Sequence, residues 1–385
     1  MGGLIGILFF VQFSISTVIS LPIIYWILMS FSGSKNDPGM EFESEVLEEI
    51  MGKKICVILP MRNESMNVNR KIDSIISEIL PYQSTELLVV DSDSNDGTGD
   101  LARDSLEASK LEQTRWEVIK LDVPGKNYAL NRVLKNVTAD IIAISDADAN
   151  VSPGWMEVVL KRMSNQEVGV VSGIEKVQSL DGGFNGFYRR KSNQLRIWES
   201  NRDSTPVLEG SILAWKTDVL KDFALNQRYN ADDAQIGLES IRRGYRSIVD
   251  ERITFNDFDE KKRTFSESIR RSQGLSMALL NNGGLSIFGR RRASRLAIFN
   301  GLILYIAFPW LSWAFAINSV IAFSITREIG YSWPFLSVCL IAILLLSPQG
   351  RYVAKGASIA IISHIQAIMR KRYGNWDPVR SFKQP

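Results

Sequence analysis

The apolar residues of the chain are concentrated near its two ends, and the part between them alternates short apolar runs with amphipathic stretches. Residues 4–30, 296–326 and 329–350 carry no charged side chain. A helix needs about 20 predominantly apolar residues to cross the hydrocarbon core of a bilayer. The pattern therefore predicts three spanning helices, and the last two are expected to form a hairpin because only residues 327–328 separate them.

The flanks of these runs indicate how the chain sits in a membrane. A cleaved signal peptide is the competing interpretation of the first run, but no basic residue precedes it and no small-residue cleavage pattern closes it. Residues 353–369 mix apolar with polar side chains, which is typical of an interfacial amphipathic helix. Basic residues lie on both sides of the hairpin: Arg290, Arg291, Arg292, Arg295, Arg351, Lys355, Arg370, Lys371 and Arg372. By the positive-inside rule we expect a multi-pass integral membrane protein whose middle domain and tail face the cytosol.

The middle of the chain has the pattern of an α/β domain. Residues 32–53, rich in Gly, Ser and acidic side chains, form a predicted linker. Beyond it, β-branched runs alternate with helical stretches at residues 55–59, 87–91, 116–121 and 140–145. Such alternation predicts a mainly parallel sheet with helices on both faces. Ligands of open sheets bind beyond the carboxyl ends of the strands, so the residues there are the candidates for chemistry.

Charged and polar side chains follow three of the predicted strands: Arg62, Asn63 and Glu64, then Asp91, Asp93 and Asp96, then Asp146 and Asp148. Asp, Asn and Ser also make good turns, so a solvated acidic turn is the alternative for each group. Two carboxylates placed two residues apart at the end of an apolar strand repel each other unless a cation lies near. Mg²⁺ and Mn²⁺ bind carboxylate, water and phosphate oxygens, which makes Asp146 and Asp148 a candidate cation site.

Composition excludes several other classes of function. The chain has 385 residues, of which 45% are hydrophobic and 23% charged, as in an ordinary packed protein. A net charge of +3 does not favour nucleic-acid binding. Cys56 and Cys339 are the only cysteines, so a disulfide framework and a Cys-rich metal site are excluded. His364 is the only histidine, which argues against His-based zinc catalysis. We expect any metal to be held by oxygen ligands.

Several short motifs occur in an order that resembles the inverting family-two glycosyltransferases with the GT-A fold, a Rossmann-like, parallel-dominated sheet. Glu209-Gly210-Ser211 is similar to the acceptor-side loop of that family, and Asp232-Asp233 to the segment that carries its catalytic base. The resemblance covers about residues 54–275, and the ordered set is specific although each motif alone is modest. The motifs similar to the donor side are Leu59-Pro60-Met61-Arg62-Asn63-Glu64, Val89-Val90-Asp91-Ser92-Asp93-Ser94-Asn95-Asp96-Gly97-Thr98, Gly125-Lys126-Asn127-Tyr128-Ala129-Leu130-Asn131 and Asp146-Ala147-Asp148.

This resemblance implies a hexosyltransferase-like enzyme that uses a nucleotide sugar and Mn²⁺ or Mg²⁺, with a lipid-linked or glycan acceptor and membrane lipids as its other partners. Asp233 is the implied catalytic base, and Asp148 and Asp146 are the implied metal ligands. The implied donor-binding residues are Pro60, Arg62, Glu64, Asp91, Asp93, Lys126, Asp146, Arg270, Arg271 and Gln273. The implied acceptor-side residues are Glu209, Gly210 and Asp232.

Some alternatives stay open. Processive polysaccharide synthases of the family carry Gln-x-x-Arg-Trp, whereas no Trp follows the arginines of residues 269–274; this favours transfer of one or a few sugars over processive synthesis. Arg270 and Arg271 suit bidentate contact with phosphate, but a basic surface facing lipid headgroups is an equal interpretation. A scaffold that kept the fold without chemistry is a further alternative, against which Asp148 and Asp233 count. Spans without charges disfavour a transporter.

The predicted organisation has six parts. They are an N-terminal transmembrane helix at residues 1–31, the linker at 32–53, a GT-A domain at 54–260, a basic membrane-interface segment at 261–295, a transmembrane hairpin at 296–350, and an interfacial helix with a cytosolic tail at 351–385.

Overall fold

The computed structural model describes residues 2–31, 52–82, 84–109, 111, 114–177, 182–258, 264–283, 292–326 and 331–369. Most of the linker predicted at residues 32–53 lies outside these residues. Arg290, Arg291 and the basic residues at 370–372, on which the predicted orientation partly rests, lie outside them as well.

The described helices and strands follow one another along the chain in the alternation that the sequence predicts. The strands are β1 Ile55–Met61, β2 Thr85–Ser92, β3 Arg115–Leu121, β4 Ile141–Ser145, β5 Ala149–Val151, β6 Val168–Glu175, β7 Ile212–Lys216 and β8 Arg246–Asp257. The helices are α1 Gly2–Phe31, α2 Val68–Ile79, α3 Thr98–Ala108, α4 Lys126–Leu134, α5 Trp155–Ser164, α6 Gly183–Arg202, α7 Asp232–Arg242, α8 Phe265–Ala278, α9 Arg292–Leu302, α10 Phe308–Thr326, α11 Ser332–Leu346 and α12 Pro348–Ile368. Short 3₁₀ or π segments cover Thr217–Leu220, Leu279–Gly283 and Ile303–Ala307.

The strands form one eight-stranded sheet in the order β3-β2-β1-β4-β7-β6-β8-β5. The four predicted strands, β1 to β4, are parallel neighbours, as expected from the sequence. Strand β7 is antiparallel to both β4 and β6, and β5 is antiparallel to β8. Every residue of β1 and β4 is buried, because helices cover both faces of the sheet at these central strands.

The core consists of one layer on each face of the sheet. Ile72 and Ile75 of α2 pack with Trp155 of α5 on one face. Leu130 of α4 and Ile236 of α7 pack on the other. The buried positions of α2 recur every three or four residues, which is why this stretch forms an amphipathic helix against the sheet. This packing confirms the predicted α/β class with helices on both faces.

Two described helices are long and apolar enough to cross a membrane: α1, and the continuous helical stretch Ala293–Thr326. Their contact includes polar groups inside the apolar region. Gln12 Nε2 donates to Ser319 Oγ at 2.6 Å, and Asn318 Nδ2 donates to Gln12 Oε1 at 2.6 Å. Hydrogen bonds between such helices hold two segments that lie far apart in the sequence together.

The second arm of the predicted hairpin is shorter than the charge-free run suggested. Helix α11 has 15 residues and ends at Leu346, and α12 leaves it at an angle of 97°. Ser347 caps α12 by accepting from Gly350 N at 3.0 Å, and Pro348 at the first helical position favours a new helix there. The pair adds a third candidate span if it is counted as one bent segment. The predicted interfacial helix at residues 353–369 lies within α12 and its C-cap.

Candidate active site

The candidate site lies at the edge of the sheet where β1, β2 and β4 end. These strands are parallel, so the residues that follow them meet at one edge. Strand β7 runs the other way and begins at the same edge, because Ile212 pairs with Ser145. The segment before β7, with Glu209 and Gly210, therefore reaches this edge too.

Asp146 and Asp148 lie in the turn between β4 and β5, and both side chains are half-buried. Asp146 N donates to Ser211 O at 3.2 Å, and Ala149 N donates to Asp146 O at 3.2 Å. These backbone hydrogen bonds close the turn and attach it to the segment before β7. The turn therefore presents its two carboxylates at the edge of the sheet.

Lys126 connects this turn to the segment that begins α7. Its Nζ lies 2.7 Å from Asp146 Oδ1 and 2.9 Å from Asp232 Oδ2, and the residue is 9% exposed. Burial lowers the pKa of Lys126, but Asp146 and Asp232 outweigh burial and raise it above its usual value. The lysine sits at the start of α4 because Gly125, at φ 139°, makes a turn that favours glycine and donates its N–H to Ser92 Oγ at 2.9 Å.

Asp233 is beside Asp232 in the first turn of α7. Its Oδ1 accepts from Ala234 N at 2.7 Å. Burial, together with the nearby carboxylates of Asp232 and Glu209, raises the pKa of Asp233 to about 7. A carboxyl group with a pKa near neutrality is suited to accept a proton during a reaction at neutral pH.

Gly210 lies against this group of charges. A Cβ there would be 3.5 Å from Lys126 Nζ, 3.7 Å from Asp233 Oδ2 and 3.8 Å from Asp232 Oδ2. The neighbouring Glu209 forms an ion pair with Arg196 of α6, a residue that is 7% exposed. The structure thus brings the predicted acceptor-side residues together with the predicted base.

Helix α8 borders the same edge and carries Arg270, Arg271 and Gln273. Burial and the neighbouring Arg271 lower the pKa of Arg270, while the carboxylates of Asp146 and Asp148 act in the opposite direction. Arg270 is therefore within electrostatic reach of the Asp146–Asp148 turn. Gln273 is 4% exposed.

Gly274 of α8 permits an unusually close helix contact. A Cβ at this position would lie 1.9 Å from the carbonyl oxygen of Asn230. No other residue type fits there unless the helix moves away. Helix α8 consequently lies directly on the segment that leads into Asp232 and Asp233.

The loops after β1 and β2 hold the remaining predicted donor-side residues. Glu64 is 4% exposed and its Oε2 accepts from Asn67 Nδ2 at 2.8 Å, whereas Asp91 is 5% exposed and its Oδ1 accepts from Ser94 N at 3.1 Å. Both carboxylates take part in holding their loops. Asp93 is exposed with φ 59°, Arg62 is half-buried, and Pro60 is buried within β1.

The carboxylates at this edge fit a divalent cation that shares its shell with phosphate. Asp146 and Asp232 already hold the ammonium group of Lys126 between them, which shows that carboxylates at this edge attract positive charge. Among the described residues, no three acidic, His or Cys side chains converge to hold a metal ion by themselves. Two carboxylates completed by phosphate and water are a common arrangement for Mg²⁺. Asp146 and Asp148 are the two candidates at this edge, and both are open to solvent in part.

Lys71 carries a buried charge behind the site, and this residue was not predicted from the sequence. It is fully buried in α2, and burial lowers its pKa to about 8 against the opposing effect of Asp146 and Asp148. The sequence places this lysine on the apolar face of α2, between Val68 and Ile72, and a charged residue at such a position could have indicated a buried lysine. Arg196, the partner of Glu209, was missed as well, because nothing local distinguishes it from other basic residues of α6.

Part of the chain matches known sequences. A profile of the family described as "Glycosyl transferase family 2" matches residues 56–223. The chain is 29% identical over 129 residues to glycosyltransferase AglE of Haloferax volcanii, a match that covers 34% of this chain and 41% of AglE. It is 28% identical over 130 residues to the probable glycosyltransferase YdaM of Bacillus subtilis, covering 31% and 29% of the two chains. The chain thus spans less than half the length of these curated relatives.

A solved structure shares the fold over nearly the whole chain. The mannosyltransferase PcManGT from Pyrobaculum calidifontis, solved in complex with GDP-Man and Mn²⁺, gives a TM-score of 0.74 at 21% sequence identity. The superposition covers 94% of this chain and 99% of PcManGT. The similarity therefore extends beyond the sheet domain to helices on either side of it.

Proposed function

We propose that this chain, whose residues 56–223 match the family described as "Glycosyl transferase family 2", is a glycosyltransferase of the GT-A fold that transfers a sugar from a nucleotide sugar to a lipid-linked or glycan acceptor. The observation that carries this proposal is the position of Lys126 between Asp146 and Asp232. This ion-pair network joins the predicted diphosphate end of the donor site to the segment with the predicted base. A donor and an acceptor hydroxyl can then meet at one edge of the sheet.

On the donor side, Asp148 and Asp146 would hold Mn²⁺ or Mg²⁺, and Lys126 and Arg270 lie near enough to this turn to neutralise diphosphate oxygens. The cation, when bound, supplies positive charge that stabilises the departing nucleoside diphosphate. The buried Lys126 is already positioned, so little reorganisation is needed when the phosphates arrive. PcManGT, which shares the fold, was solved with such a donor and Mn²⁺.

On the acceptor side, Asp233 accepts the proton of the attacking hydroxyl. The hydroxyl oxygen forms a bond to the anomeric carbon while the bond from that carbon to the diphosphate oxygen breaks, and its electron pair leaves with the diphosphate. One displacement of this kind inverts the anomeric centre. A base with a pKa of about 7 is ionised in about half of the molecules at neutral pH and still accepts a proton readily.

A lipid-linked acceptor is favoured by the way the domain rests on its apolar helices. Tyr25 Oη of α1 donates to Glu199 Oε1 of α6 at 3.0 Å, and Trp26 packs edge-on against Trp198 at 5.2 Å between ring centroids. One turn earlier in α6, Arg196 pairs with Glu209 beside the predicted base. The acceptor side of the site is thus a short distance from the candidate membrane helix α1.

We further propose that the protein is a multi-pass membrane protein with its catalytic domain in the cytosol, where nucleotide sugars are made. Asp100, with a side chain that is 74% exposed, offers a position for a reporter thiol. Asp100→Cys should react with a membrane-impermeant maleimide in inverted vesicles and stay unlabelled in right-side-out vesicles, with the unaltered chain as the control. The opposite labelling pattern would reverse the orientation.

The proposed activity is tested by incubating the full-length protein in membranes with a panel of GDP-, UDP- and TDP-sugars, with and without Mn²⁺ or Mg²⁺, and with lipid and glycan acceptors. We expect metal-dependent release of one nucleoside diphosphate and a product carrying one or a few sugars. A long polymer would indicate a processive synthase instead. If no donor binds or turns over, the scaffold alternative replaces the enzyme.

A further inference from the structure

Lys71 is a fully buried lysine beneath the Asp146–Asp148 turn. It lies in α2 at 0% exposure, among apolar neighbours such as Ile72 and Ile75. Lysine is almost never fully buried unless its ammonium group finds partners, because removing the charge from water is costly. The identity of the partners therefore indicates what the lysine does.

The two acceptors of Lys71 bracket the turn. Its Nζ donates to Ser145 Oγ at 2.7 Å and to Ala149 O at 2.7 Å. Ser145 is the last residue of β4 and Ala149 is the first residue of β5. A single ammonium group thus fixes the two ends of the segment that contains Asp146 and Asp148.

The hydrogen bonds that start at Lys71 extend to the other side of the site. Ser145 Oγ, which accepts from Lys71, donates to Ser211 O at 2.8 Å. Ser211 follows Gly210, whose Cα faces Lys126 and Asp233. Lys71 is therefore connected through one serine to the segment before β7 as well as to the turn.

Charge gives Lys71 a second effect on the turn. Asp146 and Asp148 are the carboxylates that act on its ammonium group. Lys126 approaches Asp146 from the cleft at 2.7 Å, while Lys71 acts from the interior of the domain. A buried positive charge behind two carboxylates reduces their mutual repulsion, so the turn does not need a bound cation to keep its shape.

We propose that Lys71 is a positioning residue for the cation and diphosphate site, because it fixes both ends of residues 145–149 and so presents Asp146 and Asp148 in their binding geometry before a cation arrives. This inference rests on the proposed function. The groups behind metal ligands orient those ligands, and removing such a group typically lowers metal affinity about 10- to 100-fold. Lys71 is fully buried, so its proposed effect on the cation and the donor is exerted through the turn.

The test is direct measurement of Mn²⁺ binding to the full-length protein in detergent micelles, with GDP or UDP present, by the loss of the free Mn²⁺ electron paramagnetic resonance signal. Lys71→Met keeps an unbranched side chain but removes the ammonium group. We expect its Mn²⁺ dissociation constant to rise about tenfold or more while the protein stays folded. A merely structural role would lower Tm and leave the Mn²⁺ affinity of the folded fraction unchanged.

Lys216→Met is the matched control. Lys216 Nζ also donates to a backbone carbonyl, Asn165 O, at 2.8 Å. It pairs in register with Ile141, at the end of β4 away from Ser145. Its substitution removes a lysine–carbonyl hydrogen bond that lies away from the Asp146–Asp148 turn. It should leave Mn²⁺ affinity within about twofold of the unaltered chain, since affinity is expected to change when groups behind the ligands are removed.

If Lys71→Met does not fold, Ser145→Ala tests the positioning role of Lys71 instead. It deletes the acceptor of one Lys71 hydrogen bond and the link to Ser211. A dissociation constant raised several-fold supports the positioning role, and an unchanged one overturns it. Unaltered protein that binds no Mn²⁺ with either nucleotide overturns the proposed function together with this inference, whereas normal binding in the unaltered chain and in both variants overturns this inference alone.

Discussion

Lys126 Nζ lies 2.7 Å from Asp146 Oδ1 and thereby joins the start of helix α4 to the turn after strand β4. The same nitrogen lies 2.9 Å from Asp232 Oδ2, at the start of α7. The buried ammonium group of Lys126 thus holds together three segments that are distant in the sequence. Lys126 thereby links the Asp146–Asp148 turn to Asp232, the neighbour of Asp233.

Replacing Lys126 should destabilise the protein and weaken donor binding. Lys126→Met leaves two largely buried carboxylates without their cation, and breaking a buried ion pair in this way costs about 3–5 kcal/mol. We expect a lower Tm for the detergent-solubilised protein, partly restored by Mn²⁺ because the divalent cation supplies the missing positive charge. Lys120→Met is the control, since Lys120 pairs with the exposed Asp100 and such surface pairs contribute little to stability. Equal Tm values for the two variants would contradict the assigned role of Lys126.

Activity should depend on pH through Asp233. Burial raises the pKa of Asp233 to about 7, and the base is effective only when it is ionised. We therefore expect kcat/KM to rise with pH up to about 7 and then level off, falling close to tenfold per pH unit on the acid side, because kcat/KM reports the free enzyme's essential groups. The measurement is initial rate at low donor concentration from pH 5.5 to 8.5. A flat profile over that range would show that Asp233 does not act as the base.

A methyl group at Gly274 should displace helix α8. The Cβ of Gly274→Ala would lie 1.9 Å from Asn230 O, a backbone atom that cannot turn aside. Overpacking of this kind typically costs about 1–3 kcal/mol, and here it also moves Arg270 and Arg271 away from the site. Gly283→Ala is the control, since its Cβ would meet Ile298 Cγ2 at an ordinary 3.5 Å. The expected result is reduced activity and Tm in the first variant and near-normal values in the second; normal donor turnover by Gly274→Ala would contradict the close contact.

The stability of the folded chain should fall as pH rises from 5 to 8, and Glu199 should contribute to this fall. Burial raises the pKa of Glu199 from 4.5 to about 7, against hydrogen bonds from Thr205 and Tyr25 that favour the ionised form. The folded chain therefore binds this proton more tightly than the unfolded chain, and the stability it adds is present below about pH 4.5 and lost as pH rises through about 7. Tm measured from pH 5 to 8 should fall less steeply in Glu199→Gln than in the unaltered chain. Identical slopes would contradict the raised pKa.

The parallel half of the sheet could be predicted from the sequence because its strands are short, apolar runs that helices cover on both faces. The convergence of Asp146 with the loops after β1 and β2 followed, since parallel strands end at one edge. The antiparallel insertion of β7 between β4 and β6 could not be predicted in this way. The choice of pairing partner depends on long-range packing, and hydrophobic periodicity reports only which face of an element is buried.

The motifs that form the site were predicted from the sequence, but the contacts between them were not. Lys126 was expected near the donor diphosphate, whereas its contact with Asp232 depends on the packing of α4 and α7, which are separated by about half of the domain. Lys71 lies on the apolar face of α2, where a charged residue signals a buried partner that the sequence does not identify. The break at Ser347 and Pro348, by contrast, was readable as a helix-starting pair inside the charge-free run at residues 329–350.

A metal-dependent donor site next to a separate base can be tested by measuring donor binding and donor turnover separately in the unaltered chain, Asp148→Asn and Asp233→Asn. Asp148→Asn should lose the Mn²⁺-dependent part of donor binding and turnover together. Asp233→Asn should bind the donor nearly normally and lose turnover by about 100-fold or more, as expected for removal of a general base. Donor binding that does not depend on Mn²⁺ would contradict the metal-dependent donor site. Turnover by Asp233→Asn within about tenfold of the unaltered chain would contradict the assignment of Asp233 as the base.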